Sequence, residues 1–107
     1  DFPELAQLAE ACRHVTDWLE TANIADRLAG SYPYLTMLST ATCGWLMATQ
    51  HKAAEAALAS GKGDAAFLQA KLVSTRFYLQ QIVPAATGLA ASALAGDAAL
   101  APVPAIA

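Results

Sequence analysis

Charge is scarce in this 107-residue sequence. Asp, Glu, Lys and Arg make up 14% of it, against about 25% in an average soluble domain. The net charge is -3 and the pI is near 5.1. A nucleic-acid binder needs a basic footprint, and the six basic residues here are scattered, so nucleic acid is excluded as a partner. Cysteine is equally sparse. Cys12 and Cys43 are too few for a disulfide framework, and both stand in helical patterns among apolar neighbours. They are expected to be reduced core thiols of a cytoplasmic protein. Strand-like alternation of period two is missing, so no sheet is expected. No basic segment precedes an apolar run at the start, so no secretory signal is expected. The opening Asp1-Phe2-Pro3, without Met, suggests a fragment of a longer chain.

Catalytic constellations are missing too. His14 and His51 belong to different helical patterns with no ligand spacing around them, and zinc needs three or four ligands in fixed geometry. Asp17 and Glu20 share a helix face, which reads as a solvated surface. The serines include no Gly-x-Ser-x-Gly elbow. Gly61 and Gly63 are not followed by the lysine–serine or lysine–threonine pair of a phosphate-binding loop. No catalytic, cofactor-binding or metal residue is therefore assigned.

What is present is helix-forming apolar residue. Hydrophobic residues make up 56% of the chain, and a quarter of it is alanine. Pro3 suits a first helical position, and Leu5, Leu8, Cys12, Val15, Leu19 and Ala22 follow a 3-4-3-4-3 seam beside Trp18. That helix is expected to end near Thr21–Asn23, with Asn23 as its stop. A connector over 24–32 leads to a second helix from Ser31 to about Ser60. Gly61-Lys62-Gly63 breaks the chain, and Asp64 caps a third helix with Leu68, Leu72, Thr75, Leu79 and Ile82 facing inward. Pro84 should kink this helix, with helix continuing over 85–95. The fold expected is all-α: an antiparallel bundle of three long helices, the third kinked near Pro84. Residues 1–95 form the domain, and 96–107, with Pro102 and Pro104, form an extended or mobile tail.

Two charge-free runs, Leu28–His51 and Phe77–Gly96, have the length of a membrane span. Gly30-Ser31-Tyr32-Pro33 interrupts the first, which also carries Thr36, Ser39, Thr40, Thr42 and Thr49. The second contains Gln80, Gln81, Pro84, Thr87, Gly88 and Ser92. No membrane span is expected. A charge-free helix with small residues at Ala41, Gly44 and Ala48 suits packing between other helices instead. So apolar a surface on so small a domain seeks a partner. The packing or interface candidates are Tyr34, Leu38, Gly44, Trp45, Lys71, Arg76, Phe77 and Tyr78. Arg76, in an apolar stretch, is expected to be buried and to meet a carboxylate or a helix C-terminus, within this domain or on the larger protein it belongs to.

Several short motifs occur in a particular order. They are Trp18-Leu19, Pro33-Tyr34-Leu35, Gly44-Trp45, Ala70-Lys71-Leu72, and Arg76-Phe77-Tyr78 leading to Pro84. Together, over about Leu5–Leu94, they resemble the C-terminal helical domain of bacterial acyl-CoA dehydrogenases of the 3-methylmercaptopropionyl-CoA dehydrogenase-like group. Thr36, where that family often has a charge, and Cys43 before Gly44 depart from the pattern. The resemblance implies a parent enzyme that binds FAD and oxidises an acyl-CoA thioester across its α,β bond, passing electrons to an electron-transfer flavoprotein. Its catalytic glutamate lies upstream of this domain, and Glu4, Glu10, Glu20 and Glu55 do not match it. The implied partners are the body of the parent and further copies of the chain. A free-standing helical adaptor dimerising through the 34–49 face is the alternative. A small-molecule-binding bundle using Trp45, Phe77 and Arg76 is a third reading.

Overall fold

A computed structural model describes residues 2–100, and all regular structure in it is helical. Helix α1 (Pro3–Thr21) opens on its proline. A short α2 (Ile24–Ala29) leads into the long α3 (Ser31–Ala59). After the turn, α4 (Ala65–Phe77) runs into a five-residue π-helical segment (Tyr78–Ile82), then α5 (Val83–Thr87) and α6 (Ala90–Ala93).

The expectation of three long helices is thus corrected: α1 and α3 are long, the third run is divided, and α2 is an additional short helix. Cross-helix contacts fix the directions. Phe2 meets His51 with ring centroids 5.5 Å apart, and Thr16 meets Tyr34 at 2.5 Å, so α1 runs antiparallel to α3. Lys71 Nζ donates to Gln50 Oε1 at 3.1 Å, while Gly44 lies against Val83 and Gly30 against Ala93. The third run is therefore antiparallel to α3 as well.

Local signals account for the ends. The Asp64 side chain accepts from the Ala66 N–H at 3.0 Å, capping α4. Gly61 and Gly63 hold φ of 70° and 77°, the left-handed region that reverses the chain between α3 and α4. Asn23, expected as a stop for α1, instead caps α2: its side chain accepts from the Asp26 N–H at 2.9 Å.

Proline chemistry explains the π segment. Pro84 has no N–H for the Gln80 carbonyl, and its ring crowds the preceding turn. The turn widens, and the Val83 N–H reaches back five residues to the Tyr78 carbonyl. One extra residue rotates everything after it. Thr75 and Leu79 point inward as expected, but Val83 is fully buried where Ile82 was expected, and Ile82 faces out.

The core is thin: Leu8, Cys12, Val15, Met37, Ala48, Leu79, Val83, Ala86 and Ala93. One polar contact lies inside it. Thr75 Oγ1 donates to the Lys71 carbonyl at 2.8 Å, and His51 Nδ1 lies 2.7 Å from the same oxygen. Since that hydroxyl hydrogen is engaged, Nδ1 carries the proton and donates. Thr75→Val is expected to leave a buried imidazole N–H without a partner and to cost about 1–3 kcal/mol in urea unfolding.

Beyond α6, the Asp97 N–H donates to Asp26 Oδ1 at 2.9 Å, tying the chain back to α2. Hydrogen bonding to Asp26, then burial, holds the Asp97 carboxyl above the usual aspartate range. Of the tail expected over 96–107, residues 101–107 lie outside the described residues.

Candidate interaction surfaces

The eight candidate residues divide into two sets. Four join the chain's own helices. Tyr34 bonds Thr16 of α1, and Lys71 bridges from α4 to Gln50 on α3. Gly44 is buried at a close helix crossing, where a Cβ would come within 2.8 Å of Leu5 Cδ1. Tyr78 is half-buried beside Cys43, and burial first, then that thiol, pushes its hydroxyl above the usual tyrosine range.

The other four, Leu38, Trp45, Arg76 and Phe77, face solvent. Arg76 corrects the expectation of burial and of a partner inside this domain: it is exposed and makes no hydrogen bond or ion pair among the described residues. Cys43 is likewise exposed, whereas Cys12 is buried and burial raises its thiol; both are free.

Leu38 and Trp45 belong to a larger surface. On α3, Met37, Gly44, Ala48 and His51 are buried on one side. Tyr32, Leu35, Leu38, Trp45 and Leu46 are exposed on the other, Tyr32 by 79% and Trp45 by 63%. Their 3-3-7-1 spacing, with Ser39, Thr42 and Thr49 between, keeps them on one helix face. No Asp, Glu, Lys or Arg occurs from Leu28 through His51.

The hydroxyls on this helix are already bonded. Thr36, Ser39, Thr42 and Thr49 donate to the carbonyls of Tyr32, Leu35, Leu38 and Trp45 at 3.2, 2.8, 2.9 and 3.0 Å. Removing water from around these four leaves none of their hydroxyl donors stranded, while Tyr32, at the start of the helix, must keep its hydroxyl in water or find a partner. Applied to side chains of roughly 150–250 Å², the five fractional exposures amount to about 600 Å². That is the upper end of what a monomer usually exposes in one patch.

A second surface follows the third run. Phe67, Val73 and Phe77 are 61%, 63% and 58% exposed, with Arg76 on their flank. It differs from the first in carrying that unpaired cation.

An open groove of about 430 Å³ lies between α1 and α3, lined by Phe2, Leu5, Ala41, Trp45 and Ala48. Its polar groups are Thr49, bonded to a backbone carbonyl, and Lys52, whose Nζ lies 5.9 Å from the Phe2 ring centroid. A polar hollow of about 360 Å³ lies beside His51, Glu55 and Arg76. Among the described residues this hollow suits a flavin's pyrophosphate poorly, since the carboxylates of Glu4 and Glu55 line it together with Arg76. Among the described residues, no group of three or more His, Cys, Asp or Glu is placed to hold a metal ion. No described helix is long and apolar enough to cross a membrane.

Comparison with known proteins supplies the context. The 3-methylmercaptopropionyl-CoA dehydrogenase of Ruegeria pomeroyi is 44% identical over 55 residues, which are 51% of this chain and 9% of that relative. The chain thus matches only a small part of the curated relative's length. No solved structure matches. The family described as Acetyl-CoA dehydrogenase C-terminal like matches residues 3–104. A helical chain with a modest core and two uncovered apolar faces suits a domain that works joined to something larger, and this chain belongs to that family.

Proposed function

We propose that this chain is the non-catalytic C-terminal domain of a cytoplasmic, FAD-dependent acyl-CoA dehydrogenase, packing on the enzyme body and holding subunits together. The parent's FAD and α,β-oxidation of an acyl-CoA belong to that body. The observation that carries the reading is the exposed stripe of Phe67, Val73 and Phe77 flanked by Arg76. An unpaired guanidinium beside uncovered aromatics is the composition of an interface hot spot. Its match is an apolar seat with a carboxylate at the rim, which the body would supply.

The test separates the two parts. The 107-residue chain is mixed with the flavoprotein body lacking it, and binding is measured by calorimetry. Association is expected, weakened at least tenfold by Arg76→Glu, while the body keeps its flavin without the domain. Failure to bind, or binding indifferent to Arg76→Glu, contradicts the reading. The adaptor alternative predicts association of the chain with itself and none with the body.

A further inference from the structure

We propose that the outer face of α3 is a self-association surface, on which two copies of this domain pack α3 against α3, antiparallel, about a two-fold axis at Thr42. The proposal rests on the assembly reading above and names the partner of one of its two faces.

Charge argues first. A two-fold axis brings each group near its own copy, so a charged face repels itself. Residues 28–51 carry no Asp, Glu, Lys or Arg, and such a face pairs with itself without that penalty. The third-run face does not share this property: its unpaired Arg76 calls for a partner of opposite sign.

Shape argues second. The face has smaller residues at its middle and larger ones towards both ends. Thr42 is at its centre with Ser39 and Cys43 close by, and large residues flank it on both sides: Leu35 and Leu38 before, Trp45 and Leu46 after. In an antiparallel pair centred on Thr42, Leu38 of one copy lies over Trp45 and Leu46 of the other, and Leu35 over Thr49. Small groups at the centre let the two backbones approach, as they do where helices pack closely.

Area argues third. Two copies together contribute about 1,200 Å², the lower bound of a specific interface of about 1,200–2,000 Å². Because the hydroxyls of Ser39, Thr42 and Thr49 are bonded within their own helix, the centre of that area is desolvated without orphaned donors.

Disulfide trapping in the full-length protein carrying this domain tests the geometry. T42C and L35C are made separately, each with Cys43→Ser, and oxidised mildly. A central two-fold axis sets residue 42 beside its copy, but leaves the two residues 35 about 21 Å apart along the helix axis. Cross-linking at T42C is expected to exceed that at L35C at least tenfold. L35E with L46E, both at exposed positions, is expected to weaken self-association of the chain at least a hundredfold while its helix content is unchanged. Equal cross-linking at both positions, or at neither, overturns the proposal. If T42C fails to cross-link while Arg76-dependent docking on the body persists, self-pairing falls and the docking reading stands.

Discussion

Leu8→Ala is expected to cost about 3–4 kcal/mol and to shift the unfolding midpoint of the chain by well over ten degrees. Leu8 is fully buried and belongs to a cluster with Cys12, Val15, Met37, Leu79 and Val83. Truncating a core leucine loses the transfer energy of the removed atoms and leaves a cavity, together about 2–5 kcal/mol. A small domain is stable by only about 5–15 kcal/mol, and this core holds few large side chains. The loss is therefore a large fraction of the whole. Leu35→Ala, on an exposed position of α3, is the control: a surface change of that kind falls within about 0.5 kcal/mol. Urea unfolding of the two variants, at dilutions where the chain is monomeric, checks the contrast. Similar losses at both positions would mean that the outer face of α3 is itself folded into the chain's core.

Gly30→Ala is expected to be nearly as damaging, for a different reason. Gly30 is buried at the junction of α2 and α3, where the backbone of α6 crosses it. A Cβ there would sit 2.3 Å from the Ala93 carbonyl oxygen and 3.2 Å from its carbon. The obstacle is main chain, not the end of a flexible side chain, so α6 must move bodily. Overpacking of this kind costs about 1–3 kcal/mol, and the upper part of that range applies here. Gly30 has φ of -94°, which any residue adopts, so the whole cost is steric. Hydrogen exchange checks it: amides of 89–97 should lose protection while those of α1 and α3 keep most of theirs. Uniform loss of protection would mean that α6 and the long helices unfold as one unit.

The different legibility of these two residues in the sequence has physical causes. Leu8 lies on a regular 3-4 seam, and the burial of Leu8, Cys12 and Val15 follows from that period alone. Pro3, Gly61, Gly63 and Asp64 act through local backbone chemistry, so the start of α1, the end of α3 and the start of α4 were legible as well. Gly30 owes its importance to Ala93, far along the chain, and no local pattern encodes that contact. The burial of Val83 in place of Ile82 was hidden likewise, because Pro84 widens the turn before it and shifts the register by one residue. On α3 the sequence was ambiguous for a further reason. Apolar residues occur all round that helix, so its period does not say which side is inside. Only the packing shows that Gly44 faces α1 while its neighbour Trp45 faces solvent. Arg76 misled by its company, since the apolar residues around it are themselves exposed.

The central claim is that these faces are covered in the assembled protein. Hydroxyl-radical footprinting, which labels exposed aromatic and aliphatic side chains, tests it in one comparison between the isolated chain and the full-length protein. Phe77, Val73, Trp45 and Leu35 are expected to be labelled strongly in the isolated chain at dilutions where it is monomeric, and several-fold less in the full-length protein. Leu8 and Leu79 should be labelled weakly in both. Equal labelling of the four outward residues in both samples would contradict the account, because the apolar faces would then remain open to water in the whole enzyme.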